Sequence, residues 1–210
     1  MPGTVLKIES IPAEDAFSLL KPLFAAAGGL SLSQVCGLTG LGAATIQNWV
    51  KRGWVGRPQD KRYDQTQVAR IILINLLRES MQLESIVQLL GYVNGRLDDT
   101  SDDIIPDHML YSYLCAVLRR FGGEAIEAGH IGEQIRRIIQ HYDGPTKDSR
   151  DRLANALEVM VYACWSGWLK QKADSKLGQM ALPGRAEKPT QSGAKSSALA
   201  KVKSVAPPKR

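Results

Sequence analysis

Residues 30–63 read LSLSQVCGLTGLGAATIQNWVKRGWVGRPQDKRY, and this stretch decides the fold. Ser31 and Gln34 stand at the spacing of a capping box, Ser31 as N-cap and Gln34 at the third helical position. A helix over 32–39 puts Leu32, Val35, Cys36 and Thr39 on one face, and Gly40 ends it after barely two turns. A second helix over 43–52 turns Ile46, Trp49 and Val50 inward and Gln47, Asn48 and Lys51 outward, with Gly53 as its stop. Two short helices joined by a tight glycine-containing turn make a helix-turn-helix. Trp54-Val55 then reads as a short strand, 56–60 as a turn and 61–63 as the returning strand, which together predict a small hairpin wing.

Working outward, the pattern stays helical. A very apolar helix over 66–80, with Leu73, Leu76 and Leu77, must be packed on all sides, and another follows over 83–93 and stops at Asn94-Gly95. Upstream, 13–27 holds a helix candidate interrupted by Pro22 and closed by Gly28-Gly29. Downstream, Leu110, Tyr113, Leu114, Val117, Leu118 and Phe121 recur at helical spacing between Pro106 and Gly122-Gly123. Ile131, Ile135, Ile138 and Ile139 mark a further helix. Leu153, Leu157, Met160, Val161, Cys164, Trp165 and Trp168 mark the most strongly patterned one. From Ala173 the periodicity is lost and a basic, Pro- and Ser-containing tail is predicted. The expected organisation is an N-terminal extension (1–29), a winged helix-turn-helix (30–95), a helical dimerisation or effector region (96–172) and a disordered tail (173–210). The fold class is all-α with a small β-hairpin wing.

Composition narrows the function. The net charge of +6 is unevenly spread: residues 30–96 carry +4, 97–170 carry −4, and 171–210 carry +7. A basic block followed by an acidic one suggests that one part meets an anionic partner while another does something else. No stretch approaches the roughly 18 apolar residues of a membrane span, and the N-terminus lacks the apolar run of a secretory signal. Three widely spaced cysteines indicate neither a disulfide framework nor a zinc site, so the cytoplasm is the expected location.

The ordered set of motifs resembles the DNA-binding domain of MerR-family regulators. Residues 32–41 correspond to its first helix and turn, Thr45-Ile46 with Trp49 to its recognition helix, and 51–55 to the lead into its wing. Lys61-Arg62-Tyr63 matches its wing end and 81–90 its fourth helix. More closely, the run including 45–53 and Asn94-Gly95 is similar to a bacterial family of unknown function with a MerR-like domain followed by a helical segment. The resemblance implies a winged helix-turn-helix and double-stranded DNA as partner. Where the MerR pattern often has Arg and Tyr after Thr-Ile, this sequence has Gln47 and Asn48. The long coiled-coil helix expected after the domain is replaced by the acidic, Pro-containing segment 96–106, and no clustered cysteines support metal sensing.

The expected DNA contacts are Thr45, Gln47, Asn48, Lys51, Arg52, Arg57, Lys61, Arg62 and Tyr63. Asn and Gln can make paired hydrogen bonds to adenine in the major groove, while Lys and Arg hold phosphates. Trp49, Trp54 and Tyr63 are better read as core residues than as stacking platforms. The stripe Met160, Val161, Cys164, Trp165 and Trp168 is read as a helix–helix or homodimer interface ahead of an effector pocket. His108, His130 and His141 share no ligand spacing. Asp98, Asp99, Asp102 and Asp103 read as a solvated linker, because no EF-hand glycine or terminal glutamate follows. No phosphate loop, nucleophile elbow or metalloprotease motif appears, so neither catalysis nor a cofactor is expected. The leading expectation is a DNA-binding transcriptional regulator. The alternative is a protein-interaction adaptor that keeps the fold without using it on DNA.

Overall fold

A computed structural model describes residues 1–5, 17–18, 20–95, 97, 101–120 and 130–180. Its elements run α1 (Lys21–Ala27), β1 (Leu30–Ser31), α2 (Leu32–Thr39), α3 (Ala43–Lys51), β2 (Arg62–Tyr63) and α4 (Gln65–Leu77). Then come α5 (Leu83–Asn94), α6 (Asp107–Arg120), α7 (Ile131–Ile138) and α8 (Ser149–Gln179). The described residues are mostly helical, with one two-stranded antiparallel sheet. Residues 6–16, Phe121, Gly122-Gly123, Asp98, Asp99 and the tail beyond Met180 lie outside the described residues.

Local chemistry accounts for the element ends. The capping box at α2 is formed: Gln34 N–H donates to Ser31 Oγ, and Ser31 N–H donates to Gln34 Oε1 at 2.8 Å. Asp64 and Gln67 build a second one at the start of α4, which the sequence reading passed over. Pro22 does not interrupt α1 but opens it, because a first-turn position needs no N–H. That correction shortens the 13–27 candidate to its last two turns among the described residues.

The predicted wing is the main departure. Trp54-Val55 forms no strand; β2 instead pairs with β1, in the register Leu30↔Tyr63 and Ser31↔Arg62. The reason lies at the end of α3. Gly53 takes φ +72°, its N–H donates to Val50 O, and the Trp54 N–H donates to Trp49 O at 2.9 Å. This is a Schellman closure, and it consumes the donor that Trp54 would bring to a ladder. Val55 then drops into the core. The chain reverses at 59–62, where Asp60 and Lys61 both have positive φ and Arg62 N–H donates to Gln59 O at 2.7 Å. Two consecutive left-handed residues are the mark of a type I′ turn. Gln67 Nε2 donates to Arg57 O and ties this loop to α4.

Gly29 is required by the β1–β2 pairing. It sits at φ +128°, and a Cβ there would lie 2.7 Å from the Tyr63 carbonyl oxygen. Gly29→Ala is expected to destabilise the fold by about 2 kcal/mol, measured as a lower urea midpoint. An unchanged midpoint would show that the pairing does not need this close approach.

α4 is the central post. Every residue from Val68 to Ile74 is buried, and the helix packs on α6, α8 and α5. One continuous core joins residues on both sides of position 95, and Phe17 stacks edge-on against Tyr111 at 5.5 Å. Asn75 Nδ2 donates to the carbonyls of Gly3 and Thr39, so α4 also holds the N-terminus and the α2–α3 turn. Arg152 of α8 donates to Tyr92 O and lies over the Tyr92 ring. The strongest sequence stripe is split: Met160 and Val161 are fully buried inside the chain, Cys164 and Trp165 are half-buried, and Trp168 is exposed. α8 also runs past Ala173 to Gln179, beyond the point where apolar periodicity ends. Its 31 residues span roughly 46 Å.

Candidate nucleic-acid interface

The geometry of α3 follows from two anchors. Ile46 is fully buried and Trp49 is 2% exposed, so the helix is fixed in rotation about its axis. The opposite side then presents Gln47, Asn48 and Lys51 to solvent, while Thr45 is half-buried. Arg52, just past the helix, is exposed, with its guanidinium 5.0 Å from the Trp54 ring centroid. A cation stacked in this way is held in one direction while keeping its outer N–H groups. Trp49 is thus a core residue, whereas Trp54 is half-buried and anchors no hairpin strand.

Arg57, Lys61 and Arg62 are exposed along the loop that ends in β2. Arg62 Nη1 donates to Gly29 O at 3.2 Å, which orients it across the small sheet. Lys61 sits at the turn tip in a left-handed conformation. Tyr63 does not join this surface. It is 3% exposed, and burial, with Cys36 adding to it, raises its hydroxyl above the usual tyrosine value. Its place among the expected contacts is taken away by its role opposite Leu30 in the sheet.

Other candidate chemistry is quiet. No group of three metal-ligating side chains occurs among the described residues. His108 lies near Thr66 Oγ1 and packs edge-on to Phe17. Burial pushes the Cys115 thiol up to about 11 and Cys164 up to about 12, which leaves both as thiols at neutral pH. No described helix is long and apolar enough to cross a membrane.

Sequence reasoning missed a charged cluster among α4, α5 and α6. Arg70 on α4 is 6% exposed and Asp107 at the start of α6 is 1% exposed, with Nη1 and Oδ2 3.2 Å apart. Asn94 Nδ2 donates to Asp107 Oδ1 at 2.9 Å. Burial pushes the Asp107 carboxyl up to about 6, against the lowering pull of Arg70. The signal was present: Arg70 interrupts the run VARIIL, and a charge inside a helix buried on all sides requires a partner.

Residues 30–114 match the family model described as a domain of unknown function (DUF1836). The match extends past residue 95 through most of α6, so Arg70, Asn94 and Asp107 all fall inside it. The chain is also 31% identical over 93 residues to the Uncharacterized protein YkrK of Bacillus subtilis (strain 168), an alignment covering 42% of this chain. The chain spans 40% of the length of that relative. No solved structure matches.

Proposed function

We propose that this protein is a DNA-binding transcriptional regulator of MerR-like type, acting as a homodimer. The observation that carries the reading is the solvent face of α3, where Gln47, Asn48 and Lys51 stand free on a helix locked by Ile46 and Trp49. A helix of this length enters the B-DNA major groove, where the two amides meet adenine edges. Lys51, Arg52, Arg57, Lys61 and Arg62 then neutralise phosphates on either side. The left-handed turn at Asp60-Lys61 carries one of these charges outward, and two non-glycine residues in that conformation are a cost the fold sustains elsewhere.

The homodimer rests on α8. Val159, Tyr162, Leu169 and Leu177 are exposed at spacings that keep them on one side of the helix, and Leu169 is 60% exposed. Such a stripe along a long helix suits an isologous contact, which would present two α3 helices to two half-sites.

Selection of genomic DNA fragments by the purified chain, followed by sequencing, tests the reading. A short, roughly palindromic motif near promoters supports a dimeric regulator. Absence of DNA retention at low salt overturns it and leaves the α8 stripe as the surface of a protein-interaction adaptor. In the same assay, Lys51→Ala with Arg52→Ala is expected to weaken binding to all sequences alike. It should also reduce the logarithmic salt slope by about 2. An unchanged slope would remove both cations from the phosphate contacts.

A further inference from the structure

Between the end of α3, the segment that follows it and α5 lies a groove of about 600 Å³. That volume falls within the usual range for small-molecule sites, roughly 300–1,000 Å³. Trp54, Val55 and Val87 contribute apolar wall, and Lys51, Arg57 and Arg70 contribute charge. Among the described residues lining it there are three cations and no carboxylate. Arg70 is the innermost of the three: nine-tenths of it is buried, and its Nε has no hydrogen-bond partner although Asp107 faces Nη1. A largely buried guanidinium that lines an apolar-walled groove is suited to an anionic oxygen.

Gly91 marks open space on the α5 side of the groove. It lies inside α5, where glycine weakens a helix relative to alanine. Its backbone has no positive φ, and a Cβ added to it would meet nothing within 4 Å. Neither chain geometry nor close packing therefore calls for glycine here. The space over Gly91 is open and belongs to the groove that it lines.

We propose that this groove is a binding site for a small anionic ligand with an apolar body. Its carboxylate or other anionic head lies toward Arg70, and its body lies over Gly91 between Trp54 and Val87. The proposal does not depend on DNA binding, and its test contains no DNA.

The isotope-labelled full chain is titrated with naphthoate and followed by amide NMR. Saturable shifts are expected at Gly53, Gly56, Gly91 and Gly95, which all line the groove. Naphthamide, which has the same body without the charge, is expected to bind at least about tenfold more weakly. Gly91→Leu fills the open space and is expected to abolish the shifts, while Gly91→Ala retains them. Unperturbed amides at Gly144 and Gly167 report that each variant is folded. No saturation at millimolar naphthoate, equal binding of naphthamide, shifts centred instead on Trp168 and Leu169, or full binding by folded Gly91→Leu would each overturn the proposal.

Discussion

Replacing Arg70 with methionine is expected to destabilise the fold by about 3–5 kcal/mol near pH 8, and by much less near pH 5. Methionine keeps most of the packing volume within α4, so the loss is chiefly electrostatic. In the intact protein, burial has already pushed Asp107 up to about 6, while Arg70 and the Asn94 hydrogen bond pull it down and Asp103 and Asp64 push it up. Between the free-carboxyl value of 3.8 and about 6, the folded chain holds a proton that the unfolded chain has released. This group's contribution therefore falls as pH rises through that window, and below it both states are protonated. Removing Arg70 takes away the largest force holding the pKa down, so the fall continues to higher pH. Near pH 5 the carboxyl is mostly protonated in both proteins, and the variant loses only the contacts between a guanidinium and an uncharged carboxyl group. Urea unfolding at the two pH values measures the difference. A loss of equal size at both would mean that Arg70 acts through packing alone.

This cluster also shows where sequence legibility stops. Helix ends were readable because capping is local: Ser31, Gln34, Gly40 and Gly53 carry their meaning within four residues. The inward side of α3 was readable because Ile46 and Trp49 repeat at helical spacing. Strand pairing was not, since Trp54-Val55 and Leu30-Ser31 are equally short and apolar enough to oppose Arg62-Tyr63. The choice fell on a backbone donor already used by the Schellman closure. Arg70 and Asp107 are 37 positions apart, and nothing local links them. The length of α8 was misjudged for a related reason. Apolar periodicity reports burial, and residues 170–179 are helical without being buried. Of the expected surface residues, Gln47, Asn48, Lys51, Arg52, Arg57, Lys61 and Arg62 are exposed, Thr45 is partly covered, and Tyr63 belongs to the core.

Gln47→Ala combined with Asn48→Ala is expected to remove sequence preference while leaving non-specific DNA affinity within about twofold. Both side chains are exposed on the side of α3 opposite Ile46 and Trp49, so their truncation deletes no core contact. Alanine favours the helix over either amide, which makes a folding defect a poor explanation for any loss. A well-formed amide–adenine pair discriminates by about 1–3 kcal/mol, and two such pairs give a combined loss of roughly 2–6 kcal/mol in specificity. That corresponds to about thirtyfold at the low end and four decades at the high end. The neighbouring cations are untouched by the change, so the salt dependence of the remaining binding should keep its slope. Competition between a selected fragment and scrambled DNA at fixed salt reads the specificity ratio directly. If the double variant still prefers the selected fragment by the original ratio, base readout does not come from this face of α3. Preference would then have to arise from DNA shape sensed by the loop cations Arg57, Lys61 and Arg62.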